Sequence, residues 1–218
     1  MWLICLGLAI LLVSVLGKEP KYIDPFCTLT GVPSRDPGET ERIYLRRQNQ
    51  TCSLVVPSTE KGVRPTVGRF RYVRCGKVTT YCTWRVQNAV IRISASNLDN
   101  AVPDANKVSY QYIHRIDDSV SKNGVVRQIL GKKLGGSGIV LQNLFAASEG
   151  MKPSWEAIEN KVYDCLKSSL ATFATLRWYF YYRTDVSSRP YKVHYEVEFA
   201  GSDGSPSQCA NIDQHIDN

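Results

Sequence analysis

The sequence has little histidine and no closely spaced pair of metal-binding cysteines. Only three of its 218 residues are histidine, and no Cys-x-x-Cys pair occurs. A structural zinc site commonly draws its Cys and His ligands from such short spacings, so the composition argues against one. Long apolar runs are also lacking after residue 17, where no stretch reaches the roughly 18 apolar residues of a membrane span.

The first 17 residues are the one strongly apolar stretch. Their apolar core is short for a bilayer, and small residues precede Lys18, which is typical of a signal peptide and its cleavage site. We predict a cleaved signal peptide over 1–17, a secreted protein and no stable membrane insertion. The alternative is an uncleaved N-terminal anchor.

Cysteine usage fits an oxidising compartment. Seven cysteines are present, and Cys5 lies in the predicted signal peptide. An even number in a secreted chain predicts disulfides, whose pairing the sequence leaves open. These six are Cys27, Cys52, Cys75, Cys82, Cys165 and Cys209. Asn49 begins the sequon Asn-Gln-Thr, which predicts glycosylation in a surface loop.

The charge is basic, with a formal net value of +7. Basic secreted proteins meet polyanions such as nucleic acids and glycosaminoglycans, and we expect a partner of this class. A solvated basic surface is the alternative, and a protein partner stays open.

Proline and periodicity divide the chain. Residues 18–65 contain six prolines and little periodicity, so we predict an irregular extension held at Cys27 and Cys52. Residues 66–218 form the predicted main domain. Within it, aromatic residues and arginines alternate over 67–93, which predicts a hairpin with one charged face.

The second half predicts one helix and two long strands. Ser154 is the expected N-cap. Helical spacing predicts a buried face formed by Trp155, Ile158, Val162, Cys165 and Leu166. The aromatic run 173–182 predicts a strand buried on much of both faces. Residues 191–199 alternate and predict a half-buried strand with His194 on its polar face, and His215 is expected in a mobile tail. The predicted fold class is therefore α+β.

Glycines and lysines crowd residues 126–138, VRQILGKKLGGSG. A P-loop requires lysine after the glycines, and here the lysines come first, which argues against a nucleotide site. An ordinary loop, with glycine supplying positive φ, is the simpler interpretation.

Four segments occur in an order similar to that of a known family. They are Leu134–Gly138, the group Val140, Gln142 and Asn143, the helix residues Trp155, Glu159 and Asn160, and the turn Ser187–Pro190. Over about residues 67–201 the chain resembles the bacterial DNA/RNA non-specific endonucleases, which are secreted toxin-type ββα-metal nucleases. The resemblance implies a ββα-metal nuclease-like domain with antiparallel strands and one main helix, here braced by disulfides.

The catalytic motif departs from that family. Gln128 stands where the resemblance implies the histidine that activates water, and a glutamine amide is not a useful base. Asn143 is the remaining oxygen ligand for the divalent metal, and Glu159 on the helix is a further catalytic candidate that the resemblance implies. In an alternative, His114 is the base and Asp117 and Asp118 are metal ligands. Mg²⁺ or Mn²⁺ is expected only if the protein is active.

Cationic residues fall in the segments that form the family's cleft. We predict that they contact phosphates without sequence preference, and the alternative is one solvated strand face. They are Arg127, Lys132, Lys133, Arg69, Arg71, Arg74 and Arg189.

Three hypotheses follow, and they leave open whether the protein is an enzyme. The first is a catalytically degenerate endonuclease-like protein that binds nucleic acid or another polyanion. The second is an active metal-dependent DNA/RNA endonuclease with relocated catalytic residues. The third is a disulfide-rich protein-interaction or toxin-like module.

Overall fold

The computed structural model describes residues 27–30, 49–56, 61, 64, 66–74, 84–99, 124–138, 143–184 and 187–218. This part of the chain is α+β, as predicted. Its long helix is α1 (Lys152–Lys167). Its strands are β1 (Cys27–Thr30), β2 (Asn49–Val56), β3 (Thr66–Arg74), β4 (Trp84–Ser94), β5 (Gly124–Gln128), β6 (Leu144–Ser148), β7 (Phe173–Tyr181), β8 (Lys192–Ala200) and β9 (Ile212–Asp217).

The strands form two antiparallel sheets. The larger has seven strands in the order β1-β2-β3-β4-β7-β8-β9, and the smaller pairs β5 with β6. The hairpin predicted over 67–93 is confirmed as β3 and β4. Phe70 and Tyr72 are buried on one face of β3, and Arg69 and Arg71 are exposed on the other, because successive side chains of a strand point to opposite faces.

The N-terminal extension contributes two strands to the large sheet. β2 pairs with β3 from Asn49↔Val73 to Val56↔Thr66, and β1 pairs with β2. The prediction of irregular structure is therefore wrong for these two segments. The prolines of 18–65 lie outside both strands, and β2 contains the β-branched residues that favour a strand.

Two further predictions near the C-terminus are wrong. β7 alternates between buried and partly or fully exposed residues, and Tyr179 and Tyr181 are exposed, so the strand is buried on one face only. His215 lies in β9, directly opposite His194, and not in a mobile tail. The alternating strand predicted at 191–199 is confirmed as β8.

Helix α1 covers one face of the large sheet. It begins at Lys152, with Met151 as the N-cap and proline in its first turn, so Ser154 is not the cap. The five residues predicted to form its buried face are all buried. Within the described ranges, no helix combines the length and apolar content that crossing a membrane requires.

Aromatic side chains join the helix to both sheets. Trp155 of α1 packs on Tyr195 of β8 with ring centroids 5.0 Å apart, and Tyr195 packs on Trp178 of β7 at 5.1 Å. Phe145 of β6 contacts Trp155 at 5.2 Å and Phe180 at 5.1 Å. The small sheet and the helix therefore share one core with the inner face of the large sheet.

One disulfide braces the C-terminal half. Cys165, near the end of α1, is bonded to Cys209, which precedes β9, and their Cα atoms are 6.4 Å apart. The side chains of Cys27 and Cys52 are not described, although the register places these residues directly opposite each other. Residues 1–17, Cys75 and Cys82 lie outside the described residues.

Candidate functional site

A cleft of about 610 Å³ lies between β5, residues 131–133 and α1. Arg127 and Gln128 enter it from β5, and Lys132 and Lys133 from the turn that follows. Glu159 and Asn160 line it from the helix. Except for Asn160, these are site residues predicted from the sequence. The cleft thus brings together five of them from three separate segments.

The glycine segment, residues 129–138, forms one wall of the cleft through close packing. Gly135 ends a short 3-10 turn with a φ of 87°, a conformation that favours glycine. A β-carbon at Gly136 would overlap the backbone carbonyl of Leu130, and one at Gly131 would overlap the Glu159 carboxylate. The glycines therefore permit close backbone approach, which agrees with the ordinary-loop interpretation of this segment.

Asn143 holds the glycine segment in place. Its Oδ1 accepts a hydrogen bond from the Leu130 amide at 2.9 Å. Its Nδ2 donates to the carbonyl oxygens of Leu130 at 2.8 Å and Ser137 at 2.9 Å. The side chain is fully buried, so these contacts satisfy groups that water cannot reach. Metal binding by Asn143 stays a prediction, and it would require this network to rearrange.

Glu159 is a carboxylate that the protein surrounds closely. Burial raises its pKa from the usual 4.5 to about 7, since the low-dielectric surroundings disfavour the charged form. The Gly131 N–H, the Trp155 indole N–H at 3.3 Å and the positive charge of Arg127 act in the opposite direction and hold the pKa down. At neutral pH this carboxyl group is therefore divided between its two protonation states, which suits proton transfer.

Arg127 lies beside Glu159, and its Nε is buried without a hydrogen-bond partner. Lys133 donates to the Asn160 side-chain oxygen at 2.9 Å, and both side chains are exposed. Lys152 forms an exposed ion pair with Glu156 at 4.0 Å. In total, four cationic and three acidic side chains line the cleft. Of the three acids, Glu159 is the most buried, and it is the one whose pKa is raised to about 7.

Three other predicted phosphate contacts, Arg69, Arg71 and Arg189, do not line the cleft. Arg69 and Arg71 are exposed on the face of the large sheet opposite the buried Phe70, and therefore opposite the helix. Arg189 is partly buried in the β7–β8 connection, and the side chain of Arg74 is not described. The binding role of these arginines stays a prediction.

The alternative catalytic residues His114, Asp117 and Asp118 lie outside the described residues, and so does the loop that contains them. Asn49 is the first residue of β2 and pairs with Val73, so the prediction that it lies in a surface loop is wrong. Its side chain is not described, and its glycosylation stays a prediction.

Sequence reasoning missed three charged residues of the cleft, Glu149, Lys152 and Glu156. Helical periodicity could have indicated that Lys152 lies in the cleft. Lys152, Trp155, Glu156, Glu159 and Asn160 are spaced so that they share one face of α1, and all five line the cleft. Starting the helix at Ser154 removed Lys152 from that face.

Comparisons with known proteins leave the family open. No protein-family model matches the chain, and no curated protein matches it. The resemblance to the non-specific endonucleases therefore rests on the order of the four sequence segments.

Proposed function

We propose that the cleft binds the phosphates of a nucleic acid or a comparable polyanion, on the scaffold of a catalytically degenerate ββα-metal nuclease. The observation that carries the proposal is the convergence of Arg127, Lys132 and Lys133 with Gln128 and Glu159 in one cleft. In this proposal Gln128 occupies the place of the catalytic base and contributes hydrogen bonding instead of proton transfer.

The order of elements supports the scaffold. β5 and β6 pair antiparallel and α1 follows directly, which gives strand, strand and helix around the cleft. Two long antiparallel strands, β7 and β8, come next, as the resemblance requires. Gln128, at the place of the family histidine, and Glu159, from the helix segment, line the same cleft although they are distant in sequence.

The electrostatics support an anionic ligand. Three cations lie on β5 and its turn, and the ion pair with Lys152 offsets Glu156. Glu159, with a pKa of about 7, has lost part of its negative charge at neutral pH. Phosphate binding by such a cleft is electrostatic and depends steeply on salt.

Fluorescence anisotropy with labelled single-stranded DNA and RNA tests the proposal. We expect binding to weaken between about 50 and 200 mM salt. Lys132→Ala and Lys133→Ala should each make the negative slope of log affinity against log salt shallower by about one. Lys161→Ala is the matched control, because Lys161 is exposed on α1 and does not line the cleft. An equal loss in all three variants would contradict a cleft-specific interaction.

Incubation of plasmid DNA and RNA with Mg²⁺, Mn²⁺ or EDTA tests the loss of catalysis. We expect no metal-dependent cleavage by the wild type, and none by Gln128→His, because Asn143 is the one oxygen ligand that remains at the metal site implied by the resemblance. Cleavage by the wild type that EDTA abolishes would favour the active nuclease with His114. Absence of both binding and cleavage would favour a protein partner.

A further inference from the structure

The outer face of the large sheet, the face away from α1, contains a cluster of potential metal ligands. Val193 and Tyr195 of β8 are buried on the inner face, so His194 and Glu196 point to the outer face. The register places Asp213 of β9 directly opposite Glu196. Three residue types that bind metals therefore share one small area.

Their ligand atoms converge. His194 Nε2 lies 2.7 Å from Asp213 Oδ1 and 3.5 Å from Glu196 Oε1. One ligand atom from each of the three residues lies within 4.8 Å of the others. The His215 ring, opposite His194 in the register, stacks on the His194 ring with centroids 4.3 Å apart and restricts its orientation.

Neither Glu196 nor Asp213 forms an ion pair with a lysine or arginine among the described residues. Like charges directly opposite each other across two strands destabilise the pairing. Arg177 lies directly opposite Glu196 on β7, but its guanidinium binds Glu198 at 3.0 Å. Among the described residues, His194 is the one basic side chain within ion-pair distance of Glu196 or Asp213. A cation held between these groups would relieve their repulsion.

We propose that His194, Glu196 and Asp213 bind a divalent transition-metal ion of the zinc type. Imidazole nitrogen together with carboxylate oxygen suits Zn²⁺, whereas Mg²⁺ and Ca²⁺ favour ligand sets made of oxygen alone. Zinc bonds to these atoms are about 2.0–2.2 Å long, so the ligands must close around the ion by side-chain rotation. Asp213, which is 77% exposed, is free to make that adjustment.

This site is independent of the proposed polyanion cleft, because it lies on the opposite face of the sheet from α1. It also revises the expectation drawn from the scarcity of histidine and the absence of Cys-x-x-Cys. Strand alternation brings together His194 and Glu196 along β8, and strand pairing adds Asp213 from β9. The third ligand of this site therefore does not need to lie close to the other two in sequence.

Isothermal titration calorimetry of the full, disulfide-intact chain with ZnCl₂ tests the site. We expect one equivalent of Zn²⁺ to bind, and no binding of Mg²⁺. Asp213→Asn and His194→Ala should each weaken Zn²⁺ binding by more than about 10-fold, the lower limit for losing even an outer-shell partner. Asp217→Asn is the matched control, since Asp217 is exposed on β9 and faces Lys192.

Thermal unfolding gives a second readout. Zn²⁺ should raise the unfolding midpoint of the wild type and of Asp217→Asn, but not that of Asp213→Asn, because only ligands that bind the folded state stabilise it. Asp213→Asn preserves the shape of an exposed side chain, so we expect it to fold like the wild type. The proposal is overturned if the wild type binds no Zn²⁺. It is also overturned if Asp213→Asn binds Zn²⁺ as tightly as Asp217→Asn.

Discussion

The cleft and the outer face of the large sheet both place acids beside basic groups, but they hold them by different means. In the cleft, Glu159 is embedded among Gly131, Trp155 and Arg127, and burial raises its pKa to about 7. On the outer face, Glu196 and Asp213 are partly or largely exposed, and strand register alone aligns them with His194. Packing in the cleft raises the pKa of Glu159, whereas strand pairing on the outer face only brings the side chains together.

This difference predicts unequal tolerance to mutation. The cleft wall depends on buried hydrogen bonds and close backbone contacts, which leave no room for a replacement. The outer face is solvated, so loss of one side chain leaves its neighbours in contact with water. Changes in the cleft wall should therefore cost much more folding free energy than changes on the outer face.

The largest effect is expected at Asn143. Asn143→Ala removes three buried hydrogen bonds and leaves the Leu130 and Ser137 carbonyl oxygens without this donor. We expect the free energy of unfolding to fall by about 3–5 kcal/mol, measured by urea denaturation. Asn160→Ala, at an exposed position in the same cleft, should change it by less than about 0.5 kcal/mol. Similar losses in both variants would show that burial does not separate them.

The disulfide links the two regions, since Cys165 belongs to α1 and Cys209 leads into β9. The double variant Cys165→Ala/Cys209→Ala should lower the free energy of unfolding by about 2–4 kcal/mol, because the bond restricts the unfolded chain. Denaturation of the variant beside the oxidised wild type measures this. An unchanged unfolding midpoint would mean that the helix and β9 stay together without the bond.

Glu159 should give a stability difference that depends on pH. Its folded pKa of about 7 exceeds the usual 4.5, so the folded state holds this proton more tightly than the unfolded state. The resulting contribution of Glu159 to folding stability is fully present below pH 4.5 and is lost as pH rises through 7. Glu159→Gln keeps a neutral side chain at every pH. At pH 8 we expect this variant to be more stable than the wild type by up to about 3 kcal/mol, with little difference near pH 4.5.

Glu156→Gln is the control for that comparison, because Glu156 is exposed in the same cleft. Its stability relative to the wild type should stay within about 0.5 kcal/mol at both pH values. Thermal or urea denaturation at pH 4.5 and pH 8 measures both variants. A Glu159→Gln difference independent of pH would refute the assignment of a raised pKa to this group.

The smallest effect is expected for the outer-face ion pair between Arg177 and Glu198, whose charged atoms are 3.0 Å apart. Glu198 is 57% exposed, so solvent screens the attraction. A double-mutant cycle with alanine at both positions should give a coupling energy of about 0.2–1 kcal/mol. A coupling above 2 kcal/mol would erase the contrast with the cleft.

The sequence predicted those helices and strands whose residues repeat regularly within a single segment. The buried face of α1 and the alternation of β8 follow from repeats of 3.6 and 2 residues within one segment. In the run 173–182, consecutive aromatic residues conceal the alternation of buried and exposed positions in β7. β2 and β9 were missed because their status as strands depends on pairing with β3 and β8, which lie elsewhere in the chain.

The candidate cleft was partly predictable for a similar reason. The order of motifs placed Arg127, Gln128 and Glu159 in one site, and these three residues line one cleft. The role of Asn143 was not predictable, because its three partners become neighbours only when the glycine segment folds back on itself. Arg69 and Arg71 were grouped with the cleft because their position on the opposite sheet face depends on the register.

The sequence by itself determined the α+β class, the basic charge, the main helix with its buried face, and the alternating strand that becomes β8. These properties follow from composition and from interactions between residues a few positions apart. Only the tertiary structure decided that Glu159 is embedded against Gly131 and titrates near neutrality, and that His194 meets Asp213 across two strands. Both depend on distant residues coming together, because desolvation and strand register arise only when the chain packs.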